Sequence, residues 1–158
     1  EGKCTHPFHQ DGRWRIGKGS MQGHPPRIAR GQDHHCPSCG VRLKAFARYP
    51  WHICRDCLEL ASDHAGRKLV FGNSALSGGL TWCYADDPAR VDARSIQVLC
   101  LIKNRHILVQ EARFGGVVAE PLPGGRVPGL NSRGVVDLRT TDGVDEASHL
   151  LQPVRERR

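Results

Sequence analysis

A chain of 158 residues suits one domain of ordinary size, or a small module joined to a small domain. Its 23 Lys and Arg outnumber its 16 Asp and Glu, for a formal charge of +7, and 18 Gly with 10 Pro exceed the usual share. No apolar run approaches the ~18 residues of a membrane span and no basic start leads into an apolar signal region, so the expectation is a soluble chain rather than a membrane protein, a secreted precursor or a coiled coil.

Residues 1–32 carry six cations, two acids and nine Gly or Pro, and read as an irregular basic segment. Glu1 is no initiator and Met21 is the only methionine. Residues 1–20 are therefore either an upstream stretch before a start at Met21 or the front of a processed chain, and carry no weight in the fold. Residues 33–60 read as a zinc ribbon, with a β-like run over Val41–Tyr49, a turn at Pro50 and a short run Trp51–Ile53. Cys57–His64 is the one short helix expected. Residues 61–120 read as an antiparallel β-rich unit. Its strands are Lys68–Asn73, Leu80–Ala85, a hairpin of Ile96–Ile102 and His106–Ala112 about the turn Lys103-Asn104-Arg105, and an edge strand Val117–Glu120. Residues 121–158 read as a mostly disordered tail, because seven of the fourteen positions from Pro121 to Gly134 are Gly or Pro. A short amphipathic turn at Asp145–Leu151 has the pattern to dock. The fold class is α+β and β-dominated: a zinc ribbon, then a small antiparallel sheet, between irregular Gly/Pro-rich flanks.

The chemistry lies in Cys36-Pro37-Ser38-Cys39 and Cys54-Arg55-Asp56-Cys57, a C-x2-C…C-x2-C pattern with fourteen residues between the pairs. Two thiolates separated by two residues close around one cation, and a strand-sized excursion returns the second pair to complete a tetrahedron of sulfur. Gly40 follows the first pair, where a knuckle turn favours positive φ. Four sulfurs select Zn2+, with iron the commonest alternative. A shell filled by four thiolates leaves no open position, so the expected zinc is structural. Two disulfides would need an oxidising compartment. Four thiolates and Zn2+ contribute −2, which lowers the net charge to about +5.

The other titratable residues have plainer readings. Cys83 and Cys100 fall inside expected strands as small buried apolar groups, and a second metal site with His106 is the alternative. Cys4, His6 and His9 are ligand-rich but irregularly spaced. His34 and His35 are expected at the surface, since four cysteines already fill the shell. Both Cys pairs precede Asp63-His64, whereas a ββα-metal nuclease places a histidine between its two C-x2-C pairs, so the order departs from that pattern. No His-x-Glu stands in the chain, which excludes a zinc deaminase. Arg42, Lys44, Arg48 and Arg55 cluster on the ribbon beside Phe46, Tyr49 and Trp51, and offer a phosphate- and base-contacting surface. Arg67, Asn73, Glu111 and Arg113 adjoin the Ser77-Gly78-Gly79 and Phe114-Gly115-Gly116 segments, whose glycines permit close approach of a backbone or ligand. Glu111 and Arg113 share strand parity, which favours a structural ion pair.

The strings Ala61–Asn73, Ser77–Gly79 and Glu111–Val118 (E-A-R-F-G-G-V-V) resemble a group of small bacterial proteins without an assigned activity. In that group a C-x2-C zinc ribbon precedes a β-rich segment ending in a similar E-A-R-F-G-G string. The resemblance spans roughly Cys36 to Val118, about half the chain, and implies the architecture and a bacterial cytoplasmic setting, not a reaction. H-E-x-x-H, G-x-S-x-G and P-loop motifs are absent. The leading reading is a zinc-stabilised binding, adaptor or regulatory module whose partner is a protein. The alternatives are a nucleic-acid-binding ribbon and an enzyme with a pocket at Arg67, Asn73, Glu111 and Arg113.

Overall fold

The computed structural model describes residues 32–75, 78–112, 115–122 and 134–154. The ribbon comes first. Strands β1 (His34–His35) and β2 (Arg42–Leu43) pair antiparallel, His34 opposite Leu43 and His35 opposite Arg42. Between them the first Cys pair sits on a tight turn closed by Gly40 N–H to Cys36 O and Cys36 N–H to Val41 O, each 2.8 Å. Gly40 takes φ +79°, a conformation that carries a Cβ penalty in any other residue. The long run expected over Val41–Tyr49 shortens to Arg42–Leu43. The Asp33 carboxylate accepts the Ala45 N–H at 3.1 Å and draws the chain off the ladder. The second Cys pair opens the single helical turn α1 (Arg55–Leu58), with Cys54 at its N-cap.

Two four-stranded sheets follow. The first joins β3 (Leu69–Ala75), β4 (Gly78–Tyr84) and β5 (Asp87–Asp92) to β10 (Gln152–Pro153), in the order β10-β5-β4-β3, antiparallel throughout. The second holds β6 (Gln97–Ile102), β7 (Arg105–Glu111), β8 (Val117–Pro121) and β9 (Val135–Asp137), in the order β8-β7-β6-β9, with β9 parallel to β6. Strand β4 shows why the sheets close on each other. Its period-two pattern buries Leu80, Trp82 and Tyr84 and leaves Thr81 and Cys83 half-exposed. These inward side chains join Val98, Cys100, Ile102, Ile107, Val109 and Ala119 of the second sheet in one core, each burial worth roughly 1.5–3 kcal/mol for the larger aliphatics. The ribbon shares that core through Cys36, Ile53, Cys54 and Cys57. Backbone bonds from Ile53 N–H to Ala119 O and between Ser62 and Leu101 stitch it to the second sheet.

The β6–β7 hairpin forms as its sequence predicts, with a turn of two residues rather than three. Lys103 (φ +50°) and Asn104 (φ +61°) both take the left-handed conformation that matches the twist of the paired strands. Asparagine tolerates this locally, and Lys103 carries the penalty, roughly 1–2 kcal/mol.

Two expectations are corrected. The helix is Arg55–Leu58, not Cys57–His64. Beyond Glu59 the chain exchanges helical bonds for sheet contacts, Ser62 bridging both Lys68 and Leu101 while Ala61 is fully buried. The tail is also built into the fold: residues 134–154 form β9, the helix α2 (Thr141–Ser148) and β10. Val136, Leu138, Ala147 and Leu151 are buried there, with Leu138 at 0 % exposure. The Gly/Pro run at 121–134 masks this signal when composition is averaged, yet Val136 and Leu138 cover apolar surface that β6 leaves open. The expected dock at Asp145–Leu151 corresponds to the end of α2 and its exit. Strand β5 (D-P-A-R-V-D) has no apolar alternation to announce it.

Candidate metal centre

The two Cys pairs meet at the junction of the ribbon and the core. The sulfur atoms of Cys36, Cys39, Cys54 and Cys57 all lie within 4.8 Å of one another, the one such ligand cluster among the described residues. A cation bound by four thiolates at about 2.3 Å sets its sulfurs about 3.8 Å apart, and Cys39 Sγ stands 3.5 Å from Cys54 Sγ. None of the four forms a disulfide. The cage is therefore positioned to hold one metal ion. Cys36, Cys54 and Cys57 are buried, whereas Cys39 is partly exposed at a cleft of about 620 Å3 lined by Asp33, His35, Trp51 and Arg105.

Burial and hydrogen bonds act on three of the sulfurs. Burial pushes the Cys36 thiol up, but the N–H groups of Cys54, Cys39 and Ser38 outweigh it and bring Cys36 down to about 7. The Cys54 N–H lies 3.3 Å from Cys36 Sγ. Burial pushes the Cys54 and Cys57 thiols up. Four adjacent sulfurs in this setting ionise together only around a cation, so metal binding and proton release are coupled.

The packing around the knuckle adds residues that spacing alone does not single out. His34, expected at the surface, is only 5 % exposed. Its Nε2–H donates to the His52 carbonyl at 3.0 Å and the two rings meet edge to face at 4.4 Å. His52 Nδ1–H in turn donates to the Tyr49 carbonyl at 3.0 Å. Burial holds His52 below its ordinary range. These bonds fix the loop that delivers Cys54. Arg105, at the start of β7, donates to the Pro37 carbonyl at 2.6 Å and ties the first knuckle to the second sheet. His35 is exposed, as expected.

Three of the four ribbon cations reach two carboxylates. Arg42 and Lys44 both reach Asp33 Oδ2, at 3.2 and 3.5 Å, and Arg55 lies 3.8 Å from Glu59. Arg48 is exposed. Of the described residues of the expected pocket, Arg67 stands apart from Asn73. Arg67 stacks on Tyr84 at 3.6 Å and chelates Asp86, at the opposite end of the β3–β4 hairpin from Asn73. Asn73 instead receives the Gly116 N–H at 3.0 Å and donates to the Gly79 and Gly116 carbonyls, clipping the two sheets together. Glu111 lies against Gly78, where any Cβ would collide with its carboxylate. Gly78-Gly79 thus serves close approach of the Glu111 and Ser74 side chains, while Gly116 engages Asn73 through its backbone. Arg113, and with it the expected Glu111–Arg113 pair, lies outside the described residues, as do Cys4, His6 and His9.

Cys100 is fully buried and held as a thiol, burial pushing it up to about 12. His106 faces Arg139 rather than Cys100, its Nδ1 3.3 Å from the guanidinium. Cys83 is half-buried on the outer face of the first sheet. Among the described residues no helix is long and apolar enough to cross a membrane. Comparison with family models, curated proteins and solved structures finds no match to this chain.

Proposed function

We propose that this chain is a zinc-stabilised binding module that acts inside the cell as an adaptor or regulator through a protein partner. The observation that carries the reading is the cage of four thiol sulfurs set into the shared core. Zinc is the divalent ion best suited to a closed tetrahedron of sulfur, and its role here is to hold the ribbon to the sheets. The four residues Cys36, Cys39, Cys54 and Cys57 supply every bond the ion requires. Among the described residues no cysteine forms a disulfide, which is compatible with a reducing compartment. The bacterial cytoplasmic setting rests on the sequence resemblance alone.

The ion pairs of Arg42 and Lys44 with Asp33 and of Arg55 with Glu59 offset part of the ribbon's positive charge, which supports a solvated surface over a phosphate-tracking one. The separation of Arg67 from Asn73 speaks against a catalytic pocket built on them. Binding to duplex and single-stranded DNA and RNA, titrated with salt, tests the choice. The module reading expects weak binding without a steep salt slope, together with a specific protein captured from the native cytosol. A slope equivalent to several released counterions favours the nucleic-acid reading instead.

A further inference from the structure

The four cysteines of the cage differ in access. Cys36, Cys54 and Cys57 are buried, whereas Cys39 is partly exposed and lines the cleft of about 620 Å3 beside Trp51 and Arg105. A solute arriving from water therefore meets Cys39 first. Its Sγ stands 3.5 Å from Cys54 Sγ, so a covalent bond between them needs an approach of only about 1.5 Å. Among the described residues the other partly exposed thiol is Cys83, on the outer face of the first sheet opposite Val70 and outside the cage.

Cys39 and Cys54 also belong to different knuckles, each anchored without help from sulfur. The first is held by Arg105, which donates to the Pro37 carbonyl at 2.6 Å. The second follows Ile53, whose N–H donates to the Ala119 carbonyl at 2.8 Å. These bonds keep the two knuckles facing each other on the second sheet if the ion leaves. A Cys39–Cys54 bond would then span the gap that the ion spans, whereas a bond within either C-x2-C pair would not.

We propose that Cys39 and Cys54 form a redox switch that releases the metal when a peroxide reaches the cleft. This rests on the metal reading above and adds its regulation. The Cys39 thiolate attacks one oxygen of the peroxide; an S–O bond forms, the O–O bond breaks, and hydroxide leaves. Cys39 is oxidised by two electrons to the sulfenic acid and the peroxide is reduced. The Cys54 thiolate then attacks the Cys39 sulfur; an S–S bond forms, the S–O bond breaks, and a second hydroxide leaves. Two protons from solvent turn both hydroxides into water. Cys36 and Cys57 remain as two ligands where a closed site needs four, so the cage gives up its ion.

Cys39→Ser removes a ligand, so the full wild-type chain carries the test. It is loaded with Zn2+ and treated with hydrogen peroxide while a chromophoric chelator reads the zinc set free. Remaining thiols are alkylated, and trypsin cleaves after Arg42, Arg48 and Arg55, which puts Cys54 on a peptide apart from Cys39 and from Cys57. We expect one zinc ion released per disulfide, a cross-link between Cys39 and Cys54, and the label on Cys36 and Cys57. A dithiol with added Zn2+ should restore the loaded state, and Cys83→Ala should release zinc at the wild-type rate. Zinc retained while Cys83 oxidises overturns the switch. So does a first cross-link within either C-x2-C pair, a release that dithiol and Zn2+ do not reverse, or a rate that falls in Cys83→Ala. A wild-type chain that binds no zinc under reducing conditions overturns the metal reading itself, which separates the two failures.

Discussion

Asp92 is a buried carboxylate whose loss should be costly in a graded way. It is 1 % exposed at the end of β5, opposite Trp82. One oxygen accepts the Trp82 indole N–H at 2.9 Å, the Ser95 N–H at 3.2 Å and the Ser95 hydroxyl; the other accepts the Arg94 N–H at 2.9 Å. Asp92→Ala strands the Trp82 and Ser95 donors inside the protein. At roughly 1–3 kcal/mol for each buried unpaired donor, the loss should be about 4 kcal/mol, with Arg94 regaining water. Asp92→Asn can turn its amide nitrogen toward Arg94 and keep the three-bond oxygen, so it should cost only about 1–2 kcal/mol. Urea unfolding at pH 7, followed by tryptophan emission and near-ultraviolet circular dichroism, measures both. Equal losses in the two variants, or a loss below about 1 kcal/mol in Asp92→Ala, would refute the reasoning.

Further outcomes follow from other contacts. Cys39→Ser or Cys54→Ser should unfold the ribbon, since structural zinc supplies about 10 kcal/mol or more in isolated fingers, while Cys83→Ala should cost no more than a small truncation; thermal melts of the three decide it. Gly143→Ala should destabilise α2 despite alanine's helix propensity, because the new Cβ would overlap the Asp137 carbonyl; a melting temperature at or above wild type would contradict this. Burial raises the Asp137 carboxyl, but the bonds from the Arg139 side chain (2.7 and 2.8 Å) and N–H outweigh it and hold it below its ordinary range. The pair therefore contributes in full above the ordinary carboxylate value near pH 4 and is lost as pH falls below it. The melting-temperature gap between wild type and Asp137→Asn should be wide at pH 6 and close toward pH 3.

The cysteine cage and the β-dominated core were legible because each follows from a local rule. C-x2-C spacing fixes which sulfurs can share an ion, and alternation in L-T-W-C-Y fixes which face of β4 is buried. Features set by distant partners were not. β5 is held by the indole of Trp82 and by β10, neither of which leaves a mark in D-P-A-R-V-D. Residues 134–154 are ordered because β6, buried on both faces, needs a second neighbour, and β9 supplies it in parallel register from far along the chain. His34 is buried through His52, eighteen residues away, and Asn73 spends its amide on Gly116 rather than on a ligand. In each case a long-range hydrogen bond outweighs the local preference that composition or spacing records.

Metal content of the folded chain is the decisive measurement. Protein purified under reducing conditions without added metal should carry one zinc ion per chain, with Cys36, Cys39, Cys54 and Cys57 shielded from a thiol reagent until a chelator strips the ion and the ribbon unfolds. A folded chain with no metal and all four of these thiols freely reactive, or joined in S–S bridges, would contradict it.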